Sequence, residues 1–199
     1  MSKDLWLVVG LGNPGSEYAG NRHNVGHMVL AELAYRVSAR FTNHRAGAAV
    51  AEGRALVGGP RLVLAKPARF MNVSGGPVAS LLNYLSLDAS RLIVAHDELD
   101  VPFDTIKLKY GGGHGGHNGV RDVIASVGTG DFFRVRVGIG RPLGRQSAAD
   151  YVLHDFAASE RRVLPDFVAN AADAVETIAS EGLDAAQQKF HAPARKLTE

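Results

Sequence analysis

The sequence contains no cysteine among its 199 residues, so disulfides, thiolate metal centres and a cysteine nucleophile are excluded together. It also lacks a long apolar run. The hydrophobic stretch after "MSKDLW" is broken by Gly10, Gly12 and Pro14, too early for a signal peptide or a membrane span, and a cytoplasmic location is expected. Charge of one sign is missing as well: 22 Lys and Arg against 20 Asp and Glu leave a formal charge of +2. That balance names no partner, although a pI near 9.0 leaves room for one basic face. There are no repeats, low-complexity segments or linkers. With 46% hydrophobic residues, the length fits one core and a single domain over 1–199.

What is present is an alternation of strand and helix patterns. Leu5 to Val9 is a short apolar strand, and Val25, Met28, Val29, Leu33 and Val37 recur at helical spacing behind Asn24, read as an N-cap. Segments around 47–58 and 61–66 read as a hairpin turned at Gly58-Gly59-Pro60, followed by a helix marked by Val78, Leu81, Leu82 and Leu85. "RLIVAHDELD" is a buried strand ending in polar residues. In "FDTIKLKY" and "FFRVRVGIG" apolar residues alternate with Lys107, Lys109, Arg134 and Arg136, giving two strands with one basic face each. Helices near 146–153 and 159–180 follow, the second ended by Gly182. This order predicts an α/β fold: a twisted mixed sheet with a largely parallel core and helices on both faces.

"VVGLGNPG" satisfies G-x-G-x-x-G with Gly10, Gly12 and Gly15, but the dinucleotide reading fails on context. That turn must open directly into a helix and be followed about twenty residues on by an acidic residue. Here Pro14 removes a donor, "SEYAGNRH" prolongs the loop, and the residue twenty beyond Gly10 is Leu30. More informative is what the loop carries: Asn13, Tyr18, Asn21, Arg22, His23 and Asn24, placed where open α/β sheets present their sites. His23 precedes a helix N-terminus, whose positive end disfavours imidazolium and keeps the ring neutral and basic.

Three clusters offer partners. "AHDELD" sets His96, Asp97, Glu98 and Asp100 at the C-terminal end of a strand parallel to the first. Asp97 there is a candidate to accept the Nδ1–H of His23, fix its tautomer and stabilise its imidazolium. "KPARFMNVSGG" carries Asn72, and "KYGGGHGGHNG", six glycines in eleven residues, carries His114, His117 and Asn118. Ser74 lacks a nucleophile elbow and is read as a turn residue. Neutral asparagines suit an amide or a developing oxyanion, so the constellation points to acyl hydrolysis by histidine-activated water. His114, His117 and a carboxylate of "HDELD" form an alternative metal set, but a glycine-rich H-x-x-H is not the paired helical motif of zinc enzymes, and no metal is expected.

The blocks "VGLGNPGSEYAGNRHNVG", "KPARFMNVSG", "HDELDVPFDTIKLKYGGGHGGHNGVRD" and "RVRVGIGRP" resemble, in order and spacing, the signature of bacterial peptidyl-tRNA hydrolases; "YVLHDF" resembles their lid. The similarity runs from about residue 5 to 190. It implies a monomeric α/β enzyme, without metal or cofactor, that cleaves the ester between a peptide and the 3′-terminal ribose of tRNA. It implies His23 as base, Asp97 as its partner and Asn118 near the attacking water and the ester. Asn13 and Asn72 are implied to hold the peptide and the 3′ end, Tyr18 and Phe70 to line the cleft, and Lys109 and Arg141 to grip the 5′-phosphate away from it. A lid is expected at about 144–156 and a basic tail at about 191–199. Arg69 stands where such proteins carry a small residue, so it either costs a local hydrogen bond or adds a phosphate contact. The same fold also resembles plant factors that bind RNA and protein without catalysis; the joint presence of His23, Asp97 and the three asparagines speaks for the hydrolase.

Overall fold

The computed structural model describes residues 4–55 and 58–191. Seven strands form one sheet in the order β2-β3-β4-β1-β5-β7-β6: β1 (Leu5–Gly10), β2 (Thr42–His44), β3 (Ala48–Arg54), β4 (Arg61–Pro67), β5 (Leu92–Glu98), β6 (Ile106–Tyr110) and β7 (Phe133–Gly138). The centre, β4-β1-β5-β7, is parallel, and antiparallel pairs finish both edges. The helices are α1 (Val25–Arg36), α2 (Gly75–Leu85), α3 (Asn118–Val127), α4 (Ala148–Val152), α5 (Ala158–Glu181) and α6 (Leu183–Phe190).

Alternation along the central strands builds two apolar layers. Trp6, Val8, Ile93 and Ala95 face α1 and α5, where Val29, Leu30, Leu33, Phe167 and Val175 meet them. Leu7, Val9, Leu92 and Val94 face α2 and α3 with Val78, Leu81, Val120 and Val123. Burying each large aliphatic side chain contributes about 1.5–3 kcal/mol, so these faces rather than helix propensity hold the layers together. Among the described residues no helix is long and apolar enough to cross a membrane.

The expected architecture is observed, with four local differences. Strand β2 is three residues long with an exposed, polar start, so it carries no alternation to read. Helix α6 covers the β6 edge: Gln187 Nε2 donates to the Leu108 carbonyl at 2.9 Å, and the Leu108 N–H donates to His191 Nε2 at 2.7 Å. These side chains stand in for a neighbouring strand and close an otherwise open edge. Asn24 occupies the N-cap position, but makes no capping bond; its amide instead brackets Asn13, as described below. Arg134, on the basic face of its strand, is buried, with its guanidinium donating to the carbonyls of Gly112, Gly113 and Gly130. Part of the β3–β4 turn (residues 56–57) and most of the basic tail (192–199) lie outside the described residues.

Because β1, β4, β5 and β7 are parallel, their C-terminal ends open on one side of the sheet. The loops leaving β1 and β4, 11–24 and 68–74, carry two of the polar clusters, the end of β5 carries Asp97, and the glycine loop 111–117 between β6 and α3 carries His114 and His117.

Candidate active site

The loop after β1 is shaped by close packing. A side chain at Gly10 would collide with the Gly26 carbonyl of α1, and one at Gly12 would sit 2.7 Å from the His27 ring. The glycines of "GLGNPG" therefore let β1 and its loop lie flush against α1; Gly15, at φ +110°, then turns the chain in a region open mainly to glycine. The loop ends in a 3-10 turn, Arg22–Asn24, which delivers His23 at the mouth of α1.

His23 Nδ1 lies 2.9 and 3.0 Å from the two carboxylate oxygens of Asp97, which projects from the last turn of β5. A carboxylate only accepts at this spacing, so Nδ1 carries the proton and Nε2 keeps its lone pair. The His23 side chain is 14% exposed and Asp97 only 3%. Burial lowers the basicity of His23, but the charge and hydrogen bond of Asp97 outweigh it and raise its pKa above the ordinary histidine value. The Asp97 carboxylate thus opposes the helix-end effect on His23, as expected of a partner for this ring. Burial would lift the Asp97 pKa, yet His23 and His117 hold it well below the usual carboxylate range.

His117 was not identified from sequence as part of this pair. Its Nε2–H donates to Asp97 Oδ1 at 2.8 Å, while its Nδ1 accepts the N–H of Val120 at 3.2 Å. The ring therefore caps α3 with one nitrogen and braces Asp97 with the other, which fixes it as the Nε2–H tautomer. His96 lies behind, its Nδ1 2.7 Å from the Asp97 carbonyl, and complete burial depresses its pKa to about 3, keeping it neutral. His23, Asp97 and His117 are also the one group among the described residues with ligand atoms near enough, within 4.8 Å, to hold a metal ion. This is not the set expected from sequence: His114 instead accepts the Gly116 N–H. The 2.8–3.0 Å separations are hydrogen-bond lengths, and two ring N–H groups on one carboxylate account for the cluster without an ion.

His23, Asp97 and His117 line a cavity of about 380 Å³ together with Asn118, Gly115, Gly116, Leu99, Arg141 and the α4 residues Ala148 and Val152. Asn118 opens α3, so the positive end of that helix dipole points toward the cavity. Segment 144–156 forms one wall and is fastened to the His23 loop. The Arg22 guanidinium donates to the Asp155 carbonyl and to Glu160, both at 2.7 Å, and lies 4.2 Å over the Tyr151 ring. Asn21 Nδ2 donates to Asp155 at 2.8 Å.

A second group adjoins this one. Asn24 Oδ1 accepts the Asn13 N–H at 2.9 Å and its Nδ2 donates to the Asn13 carbonyl at 2.8 Å. Asn13 Oδ1 in turn accepts the N–H of Met71 at 2.8 Å, tying the loop after β4 to the loop after β1. Among the described residues nothing accepts from Asn13 Nδ2, which leaves it as the free donor. Asn72 follows, exposed, and Phe70 packs edge-on against Tyr18 with ring centres 6.2 Å apart. The structure does not bring Lys109 and Arg141 together. Lys109 pairs in register with Arg134 near the start of β7, whereas Arg141 lies seven residues further on, at the cavity itself, 2.7 Å from Asp100. Arg136 pairs with Glu98 at 2.9 Å.

A doubly covered, mainly parallel sheet with a buried aspartate orienting a histidine at a strand-end cleft is an arrangement suited to base chemistry. The comparisons with known proteins specify it further. The family model described as peptidyl-tRNA hydrolase matches residues 7–198. A peptidyl-tRNA hydrolase of Leifsonia xyli is 67% identical over 187 residues, covering 94% of this chain and 97% of that protein. One from Pseudarthrobacter chlorophenolicus is 60% identical over 188 residues, covering 94% and 96%. The crystal structure of the peptidyl-tRNA hydrolase of Acinetobacter baumannii superposes with a TM-score of 0.87 at 32% identity, covering 96% of this chain and 97% of that one. The chain belongs to the peptidyl-tRNA hydrolase family.

Proposed function

We propose that this chain hydrolyses the ester joining a peptide to the 3′-terminal ribose of tRNA, with His23 as the base that activates water. The observation that carries this is the Asp97 carboxylate on His23 Nδ1, which leaves Nε2 as the basic nitrogen at the cleft. Nε2 takes a proton from water, and the hydroxide adds to the ester carbonyl. Asn118, helped by the positive end of α3 and the backbone of the glycine loop, meets the developing oxyanion. The carbon–oxygen bond to the ribose then breaks, and the proton held on His23 passes to the leaving ribose oxygen. Asp97 stabilises the imidazolium between these steps, and His117 keeps Asp97 in place. The chemistry calls for no metal or cofactor, and one copy of the chain supplies every group.

Asn13 and Asn72 are assigned to the peptide amide and the 3′ end. With Oδ1 of Asn13 already occupied by Met71, only its N–H donors remain. A peptide carbonyl accepts from them, whereas the α-ammonium of a free aminoacyl group brings only donors and would be left poorly solvated. Tyr18 and Phe70 offer an aromatic wall for a terminal base or an apolar side chain. Lys109, on the β6–β7 face, is assigned to tRNA phosphate near the 5′ end, and Arg141, beside the cleft, to phosphate of the acceptor end; both contacts position without reading sequence and weaken with salt. Segment 144–156 acts as the lid and 1–199 as one domain.

The test is release of N-acetyl-aminoacyl groups from tRNA by the purified protein in EDTA, beside unblocked aminoacyl-tRNA. Fast release of the blocked substrate alone supports the reading. Binding of tRNA without release would leave an RNA-binding module of this fold.

A further inference from the structure

We infer that the groove between the β2–β3 turn and the start of α2 is a subsite for acidic side chains of the peptide being released. The groove, about 470 Å³, is lined by Arg45, Gly47, Arg69, Val73, Pro77 and Ser80 among others, and no lining residue is acidic. Arg22, Arg36, Arg54, Arg61, Arg136 and Arg141 each have a carboxylate partner. Arg45 and Arg69 are among the described arginines without one, and both line this one groove. Arg45 is steadied instead by the Tyr84 ring, 5.3 Å from its guanidinium carbon. Two like charges lining one groove that has no acidic residue create a site that a carboxylate fits by charge-assisted, forked hydrogen bonds.

The position says which part of the substrate meets it. Residues 69–73 form a partition: Met71 faces the first site through its bond to Asn13 and Phe70 packs on Tyr18, while Arg69 and Val73 line the groove on the other side. Resting on the reading above, a peptide whose first amide lies at Asn13 and Asn72 runs past this partition within its next few residues. The sheet order puts the β3–β4 flank and the β7–β6 flank on opposite sides of β1 and β5. The β7–β6 flank carries Lys109, assigned above to tRNA phosphate, so the peptide leaves by the other.

The experiment compares kcat/KM for N-acetyl-tetrapeptidyl-tRNAs that share one tRNA and one C-terminal residue but carry Asp, Asn or Lys at the two preceding positions. Wild type should favour the Asp over the Lys substrate by about fivefold at low salt. That ratio should fall toward one in Arg45→Ala/Arg69→Ala and reverse in Arg69→Glu. A ratio equal in wild type and double variant would overturn the inference. So would an equal slowing of all three substrates with a shallower salt dependence, which would mean that the groove holds tRNA phosphate. Absence of hydrolysis with every substrate would instead remove the hydrolase reading beneath it.

Discussion

Replacing Asp97 by Asn removes one charge from the centre of the site while keeping its shape. At about 3 Å and an effective dielectric of about 20, an imidazolium and a carboxylate attract by about 5 kcal/mol, opposed by the burial that lowers the His23 pKa. Because the base must be neutral, the rate rises as pH increases through the His23 pKa. In wild type that limb should be centred above the ordinary histidine value, and in Asp97→Asn, with the attracting charge gone, it should move to lower pH. The plateau should fall too, by about 10²–10⁴-fold. An Asn amide turned with its NH₂ toward Nδ1 stabilises the tautomer whose Nε2 is protonated and cannot accept from water. The assay is kcat/KM for N-acetyl-aminoacyl-tRNA between pH 5 and 9, under conditions where tRNA stays bound. A limb at the same pH with an undiminished plateau would refute the assignment of Asp97 as the partner of His23.

His117→Ala should move the acid limb the other way, upward, because Asp97 Oδ1 then serves His23 alone; loss of the α3 cap should also cost about 1 kcal/mol and lower Tm by about 2–4 °C. A Tm loss with no movement of the limb would mean that His117 only caps the helix. Arg134→Met should leave the Gly112, Gly113 and Gly130 carbonyls without their donor and cost about 2–4 kcal/mol in urea unfolding; a loss under about 0.5 kcal/mol would contradict its structural role. His27 and His96 are both depressed to about 3 by burial, with Lys66 adding to the effect at His27 and His117 at His96. Between pH 6.5 and about 3 the unfolded chain binds these protons and the folded one does not. Stability should therefore fall with pH across that window, by about 1.4 kcal/mol per unit for each ring. Equal urea midpoints at pH 7 and pH 5 would contradict their neutral burial.

The sheet was legible because its central strands β1 and β5 are short continuous apolar runs, its β6 and β7 strands alternate, and its turns carry glycine. The His23–Asp97 pair was legible for a related reason: two parallel strands must end on the same side, so the loops that follow them meet. What escaped was whatever depends on irregular backbone. His117 reaches Asp97 only because the glycine loop folds back over β5, and no periodicity announces that path. Arg134 has the alternation of a surface residue, yet the carbonyls of the same loop turn inward and capture it. Lys109 and Arg141 were paired by the family resemblance alone; antiparallel pairing sets Lys109 opposite Arg134 near the start of β7, and Arg141 follows the end of that strand. Asn24 had the residue type of a cap and spends its amide on Asn13, since the loop after β1 needs a brace more than α1 needs a first-turn acceptor.

The central claim is that the Nε2 of His23 makes the nucleophile, and His23→Ala tests it most directly. Single-turnover cleavage of N-acetyl-aminoacyl-tRNA should slow by about 10²–10⁴-fold while the Kd for the tRNA stays within about twofold, since His23 lies at the ester and not among the phosphate contacts. Cleavage at near wild-type speed would show that another group activates the water and would contradict the account.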